Sequence, residues 1–135
     1  MAIREFIMRY LIFVLITLLP SLSFAEQFLC IAEKASGFRH EGGEWIEKPF
    51  NTNEKYLVNF EKRTVNRFGE SSAIHSNCTQ YRDHGKKLFD CTEDFGFFIM
   101  SSETMKYMIT LPWIDYVLDE TGGTPHIELG TCTKF

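Results

Sequence analysis

Four cysteines and four histidines are the side chains of this sequence best suited to chemistry: Cys30, Cys78, Cys91 and Cys132, and His40, His75, His84 and His126. Thiolates and imidazoles hold zinc when they cluster at short spacing, and paired thiols exchange electrons as C-x-x-C. The sequence has no C-x-x-C and no H-E-x-x-H, so neither a zinc site nor a dithiol redox centre is expected. Asp83-His84 is a pair in which a carboxylate could orient an imidazole as a general base. Such a base needs a nucleophile in a strained setting, and no G-x-S-x-G is present. Ser71, Ser72, Ser76, Ser101 and Ser102 fall in turns or at strand ends, where turn propensity explains them. Acidic residues are scattered, with no pair standing out as a glycosidase couple. The expectation is a protein with no catalytic residues, no metal ligands and no cofactor.

The cysteines do different chemistry if the chain is exported. Residues 1–25 have the layout of a signal peptide: Arg4 and Arg9, the apolar run YLIFVLITLL, a break at Pro20, and Ser23 and Ala25 three and one residues before a cut. The run is about half the ~20 apolar residues of a membrane span, so no stable membrane insertion is expected once the signal is removed. The S-F-A-E-Q junction reads as bacterial, which points to the periplasm or beyond. The mature chain is then a single domain, residues 26–135, carrying all four cysteines. In an oxidising compartment an even number reads as a disulfide framework with three possible connectivities. Cys78–Cys91 and Cys30–Cys132 are favoured. The first closes a short loop, contributing roughly 3 kcal/mol, and the second ties first strand to last, contributing nearly ~5 kcal/mol.

The elements around these cysteines read as strands. No window of residues after 25 keeps a helical apolar face, whereas short alternating runs recur between turn residues. QFLCIAEKA places Phe28, Cys30 and Ala32 on one face. GEWIEKPF follows a Gly42-Gly43 turn, and NTNE joins it to KYLVNFE as a hairpin. RTVNRF is a weaker strand. SAIHSNCTQY and KKLFDCTE flank the turn RDHG and place Cys78 opposite Cys91. FGFFIMS, TMKYMIT, PWIDYVLD and PHIELGTCTK complete the series. The sum is eight to ten short antiparallel strands, an all-β barrel or sandwich, with its abundant phenylalanines as core.

Binding then belongs to what the scaffold leaves exposed. SGFRHEGGEW, read as a long first loop, holds Ser36, Phe38, Arg39, His40 and Trp45, an unusual set for a connection. Tryptophan and arginine are enriched where interfaces are tightest. A second loop spans residues 119–125. The SGFRH stretch resembles the S-G-x-R-Y stretch of the periplasmic inhibitors of c-type lysozyme, with His40 where that family has tyrosine. The resemblance implies an exported β-barrel with Ser36 and Arg39 at the recognition positions. Removing Arg4, Arg9 and Glu5 from the 14 basic and 18 acidic residues leaves 12 and 17, a balance of minus five. That balance disfavours nucleic acid as a partner. The expected function is a non-enzymatic exported binding module for an envelope protein or small ligand. Inhibition of a hydrolase such as c-type lysozyme, or a structural role in an envelope assembly, are the alternatives.

Overall fold

One strand supports most of the molecule. In the computed structural model, which describes residues 25–93, 96–112 and 116–135, Gln27–Glu41 forms a single strand of 15 residues, β1. Nine more follow: β2 (Glu44–Pro49), β3 (Lys55–Asn59), β4 (Thr64–Arg67), β5 (Ala73–Ser76), β6 (Thr79–Asp83), β7 (Lys86–Glu93), β8 (Gly96–Ser101), β9 (Lys106–Leu111) and β10 (His126–Lys134). All pair antiparallel in the order β5-β4-β3-β1-β10-β9-β8-β7-β6, with β2 on β1. The sheet curls into a half-barrel. The expected signal segment lies, up to residue 24, outside the described residues. Among the described residues no helix is long and apolar enough to cross a membrane.

β1 pairs along one side with β10 and along the other with β3 and then β2. Its inward residues are first Phe28, Cys30 and Ala32, then Ala35 and Gly37. The change from even to odd positions is a β-bulge, where the register against β10 slips between Ala32 and Lys34. An extra residue in one strand reverses the facing of everything after it. Opposite the bulge runs the connection 50–54. It was expected as a hairpin turn between β2 and β3, but those strands do not pair with each other. Phe50 N donates to Ala35 O at 3.0 Å and Ala32 N to Glu54 O at 3.2 Å, so the connection bridges the bulge along β1.

Three further expectations are corrected. SGFRHEGGEW is not a loop: β1 runs to Glu41, and Gly42-Gly43 alone make the turn, with φ of 61° and 88°. Both central residues in the left-handed region is the two-residue hairpin turn that matches strand twist. SAIHSNCTQY is not one strand but two, broken at Asn77, whose φ is 70°. Asparagine is among the residues that tolerate that conformation. PWIDYVLD is not a strand over its described part, since residues 116–119 form a turn with Asp119 at φ 58°. Its residues 113–115 lie outside the described residues.

The break at Asn77 shapes the half-barrel. β5 and β6 are the two outer strands of the sheet, yet they are successive in the chain. Cys78, between them, is bonded to Cys91 of β7. Its N–H donates to Arg63 O at 3.1 Å, and Gln80 Nε2 donates to Phe60 O at 3.1 Å. The curled sheet thus brings its edges together at one chain corner. The concave side is filled by rings: Phe60 stacks on Phe89 at 4.5 Å and leans on Phe28 at 4.8 Å, and Phe98 stacks on Tyr107 at 5.4 Å. Each phenylalanine buried this way stabilises by about 1.5–3 kcal/mol.

Cys30 and Cys132 are direct cross-strand partners in the β1–β10 ladder and are bonded. Both expected disulfides are present, and they suggest an oxidising, extracytoplasmic location. The bonds span 102 and 13 residues. Replacing both cysteines of a pair by alanine should therefore cost more for Cys30–Cys132, about 5 kcal/mol, than for Cys78–Cys91, about 3 kcal/mol. Urea unfolding of the two double variants checks the order.

Candidate functional site

Beyond the bulge, β1 and β2 form a hairpin whose two faces differ in chemistry. Directly opposed residues share a face, and His40 opposes Trp45 while Phe38 opposes Glu47. Ser36, Phe38, His40, Trp45 and Glu47 therefore project together. Gly37, Arg39, Glu41, Ile46 and Lys48 project to the other side. Four of the five residues singled out in the sequence thus come together, and Arg39 is parted from them.

The first face builds a groove. Phe38, 49 % exposed, and Trp45 form one wall, and Pro112, Tyr116, Val117 and Pro125 form the other, around about 460 Å³. Trp45 meets Tyr116 edge-on at 5.8 Å and His40 at 5.5 Å. The walls are joined by backbone: Phe38 N donates to Pro125 O at 2.9 Å. Gly37 makes that approach possible, since a Cβ there would lie 2.1 Å from the same carbonyl oxygen. Val117 is 81 % exposed, so the far wall presents apolar surface to water. Apolar, concave and aromatic-lined surface is what ligand and peptide sites have in common.

The second face is charged and self-satisfied. Glu41 pairs with Lys48 across the turn and with Arg39 at 3.8 Å. The Lys48 hydrogen bond holds the Glu41 carboxyl below its usual range, burial opposing and both cations adding to it. The Arg39 guanidinium lies over the Phe50 ring at 5.4 Å.

Behind this hairpin lies a polar cluster that the sequence reading missed. Glu128 on β10 is 2 % exposed. Tyr56 Oη donates to its Oε2 at 2.8 Å, and His126 Nε2 meets its Oε1 at 3.2 Å. The other ring nitrogen of His126, Nδ1, meets Thr124 O at 2.7 Å, and the ring packs against Phe50 at 5.2 Å. Tyr107 Oη is buried in the described structure without a hydrogen-bond partner. Burial first, then Glu128, pushes the phenols of Tyr56 and Tyr107 well above the ordinary tyrosine range. The Glu128 hydrogen bond raises His126 above 6.5 despite burial, with the Thr124 carbonyl, the Glu128 charge and Glu54 adding to it. Both ring nitrogens of His126 thus face acceptors.

Asp83 and His84 form a contact of 2.9 Å at an exposed turn. Among the described residues no group of three or more His, Cys, Asp or Glu is arranged to hold a metal ion.

Tyr56→Phe leaves Glu128 Oε2 buried without its donor and should cost about 1–3 kcal/mol in urea unfolding. The fold also holds the His126 proton more tightly than the unfolded chain does. Its contribution is complete below about pH 6.5 and is lost as pH rises through the raised folded value. Urea midpoints followed from about pH 5 to about pH 9 should fall across that interval in the wild type and lose this component in His126→Gln. No family model matches this chain, and no curated protein or solved structure matches it either.

Proposed function

We propose that the chain is an exported, non-enzymatic binding module, acting in the periplasm or outside the cell, that takes an apolar segment of an envelope protein into the groove of Phe38, Trp45, Tyr116 and Val117. The observation that carries this reading is the groove itself. It is an aromatic surface assembled from a rigid two-stranded hairpin and a distant segment, joined by the Phe38–Pro125 hydrogen bond. Aromatic anchors in a preformed recess supply most of the energy of recognition at small ordering cost. Glu47, opposite Phe38 and exposed, and the acidic balance of the mature chain favour a basic partner segment. A small apolar ligand would use the same walls.

Hydrolase inhibition is the second reading, supported by the exposure of Ser36 and Arg39 within SGFRH. The two lie on opposite faces of β1, so a single cleft would engage the strand edge-on or meet one of them alone.

Immobilised mature protein, challenged with envelope extract and crosslinked, provides the test. Partners of the groove should be captured by wild type and by Arg39→Ala, and lost by about tenfold or more with Phe38→Ala or Trp45→Ala. Thermal midpoints should stay near wild type. Capture that is insensitive to both groove variants, or a large fall in stability with either, removes the reading. Titration of c-type lysozyme with the same proteins checks the second. An inhibitor should lower its activity stoichiometrically, and no inhibition at large excess ends it.

A further inference from the structure

The groove's second wall is fastened to the sheet by the Phe38–Pro125 backbone hydrogen bond and by the His126 side chain. Pro125 lines the groove and accepts the Phe38 N–H, and the residues on either side of it are Thr124 and His126. The His126 ring spans from the Thr124 carbonyl oxygen, at 2.7 Å from Nδ1, to Glu128 Oε1, at 3.2 Å from Nε2. Both partners are acceptors, so two protons are needed: one on Nδ1, and one between Nε2 and Oε1. With one proton fewer, an imidazole lone pair faces either the carbonyl oxygen or the carboxylate, and that contact opens.

We infer that His126 is a pH-operated clasp on the groove, holding Thr124–Pro125 against the sheet when doubly protonated and releasing that wall when one proton leaves. The charges around it are fixed by several elements. On β10 itself Glu128 faces the ring. From the connection into β3, Glu54 adds a negative field, although it is itself paired with Arg67 at 3.6 Å. From β3, Tyr56 donates to Glu128, and from β9 the Tyr107 phenol, pushed up by burial and then by the same carboxylate, stays neutral. Arg39 of β1 packs on the same Phe50 ring as the imidazole. The surroundings therefore favour the doubly protonated ring, and release comes on the alkaline side of an ordinary histidine. Glu128 cannot relax towards solvent to replace the lost contact, because it is buried and already holds Tyr56. Thr124, in the connection before β10, is the partner that no strand ladder holds. The geometry of the clasp stands on its own, but its effect on binding rests on the groove being the recognition surface.

The test follows the backbone amides of Phe38 and Thr124 and the His126 ring protons by nuclear magnetic resonance from about pH 5 to about pH 9. The ring and both amides should share one midpoint, above the ordinary 6.5. In Glu128→Gln the amide side chain can donate to a neutral ring, so the coupled shift should vanish while the fold persists. In His126→Gln the two amides should no longer move. A ring that titrates while both amides of the wild-type protein stay still overturns the clasp, as does a His126 midpoint at or below 6.5. In parallel, the apolar dye 1-anilinonaphthalene-8-sulfonate serves as a groove probe, controlled by Phe38→Ala. Its affinity should change several-fold across the same interval in the wild type and not in His126→Gln. Coupled amides with no dye response to Phe38→Ala would defeat the groove reading and leave the clasp standing. Absent coupling with groove-dependent dye binding would do the reverse.

Discussion

The pairing of β1 with β10 is the constraint on which the molecule depends. Strands β2 to β5 reach the rest of the sheet through β1, and β6 to β9 reach it through β10. The ladder between them joins residues about a hundred positions apart, the most entropically demanding closure in the chain. Local hairpins such as β6–β7 and β8–β9 need only short loops, whereas this ladder cannot form until β1 and β10 meet across the intervening chain. The Cys30–Cys132 bond sits within the ladder and makes that meeting permanent. Covalent closure at the costliest contact is how a domain of this size compensates for a modest core.

The same ladder divides the interior into two environments. Towards Phe28, the concave face is aromatic, closed by Phe60 on Phe89. Past Cys30 it becomes polar: Tyr56, Tyr107, Glu128 and His126 occupy inward positions. A buried carboxylate is tolerated because a phenol and an imidazole supply its hydrogen bonds. Tyr56 and Tyr107 belong to both zones, their rings packed edge-on at 5.8 Å with Tyr56 Oη turned to Glu128. The polar zone lies at the bulge end of the sheet, where the backbone changes parity and the groove hairpin begins.

Most of the scaffold was legible in the sequence because its signals are local. Alternation marked most strands, Gly42-Gly43 and His84-Gly85 marked turns, and four cysteines after an expected export signal implied two bonds. Legibility failed where facing depends on a partner strand. The extra residue in β1 is invisible in QFLCIAEKA, and without it the hairpin parity could not be assigned. Glycines and polar residues in SGFRHEGG have a loop's composition, yet pairing with β2 and with β10 holds them extended. The Glu128 cluster carried a weak signal: His126, Glu128, Gly130 and Cys132 share one parity, and Cys132 had to face inward to bond. Following that parity back from the cysteine would have placed a carboxylate and an imidazole in the interior. Nothing local pointed to Tyr56, 72 residues away. The aromatic residues of the groove were legible as types, and their division from Arg39 was not.

The long strand also sets where the molecule can be held. The start of β1 and the end of β10 meet at one pole, where Phe135 N donates to Gln27 O at 3.2 Å and Lys134 reaches Glu26 at 3.1 Å. The recess of Phe38 and Trp45 lies about eleven residues further along the same strand, roughly 36 Å away at ~3.3 Å per residue. A tether, tag or surface linkage fused at Phe135 would leave from the rear of the molecule, with the aromatic mouth facing away from it.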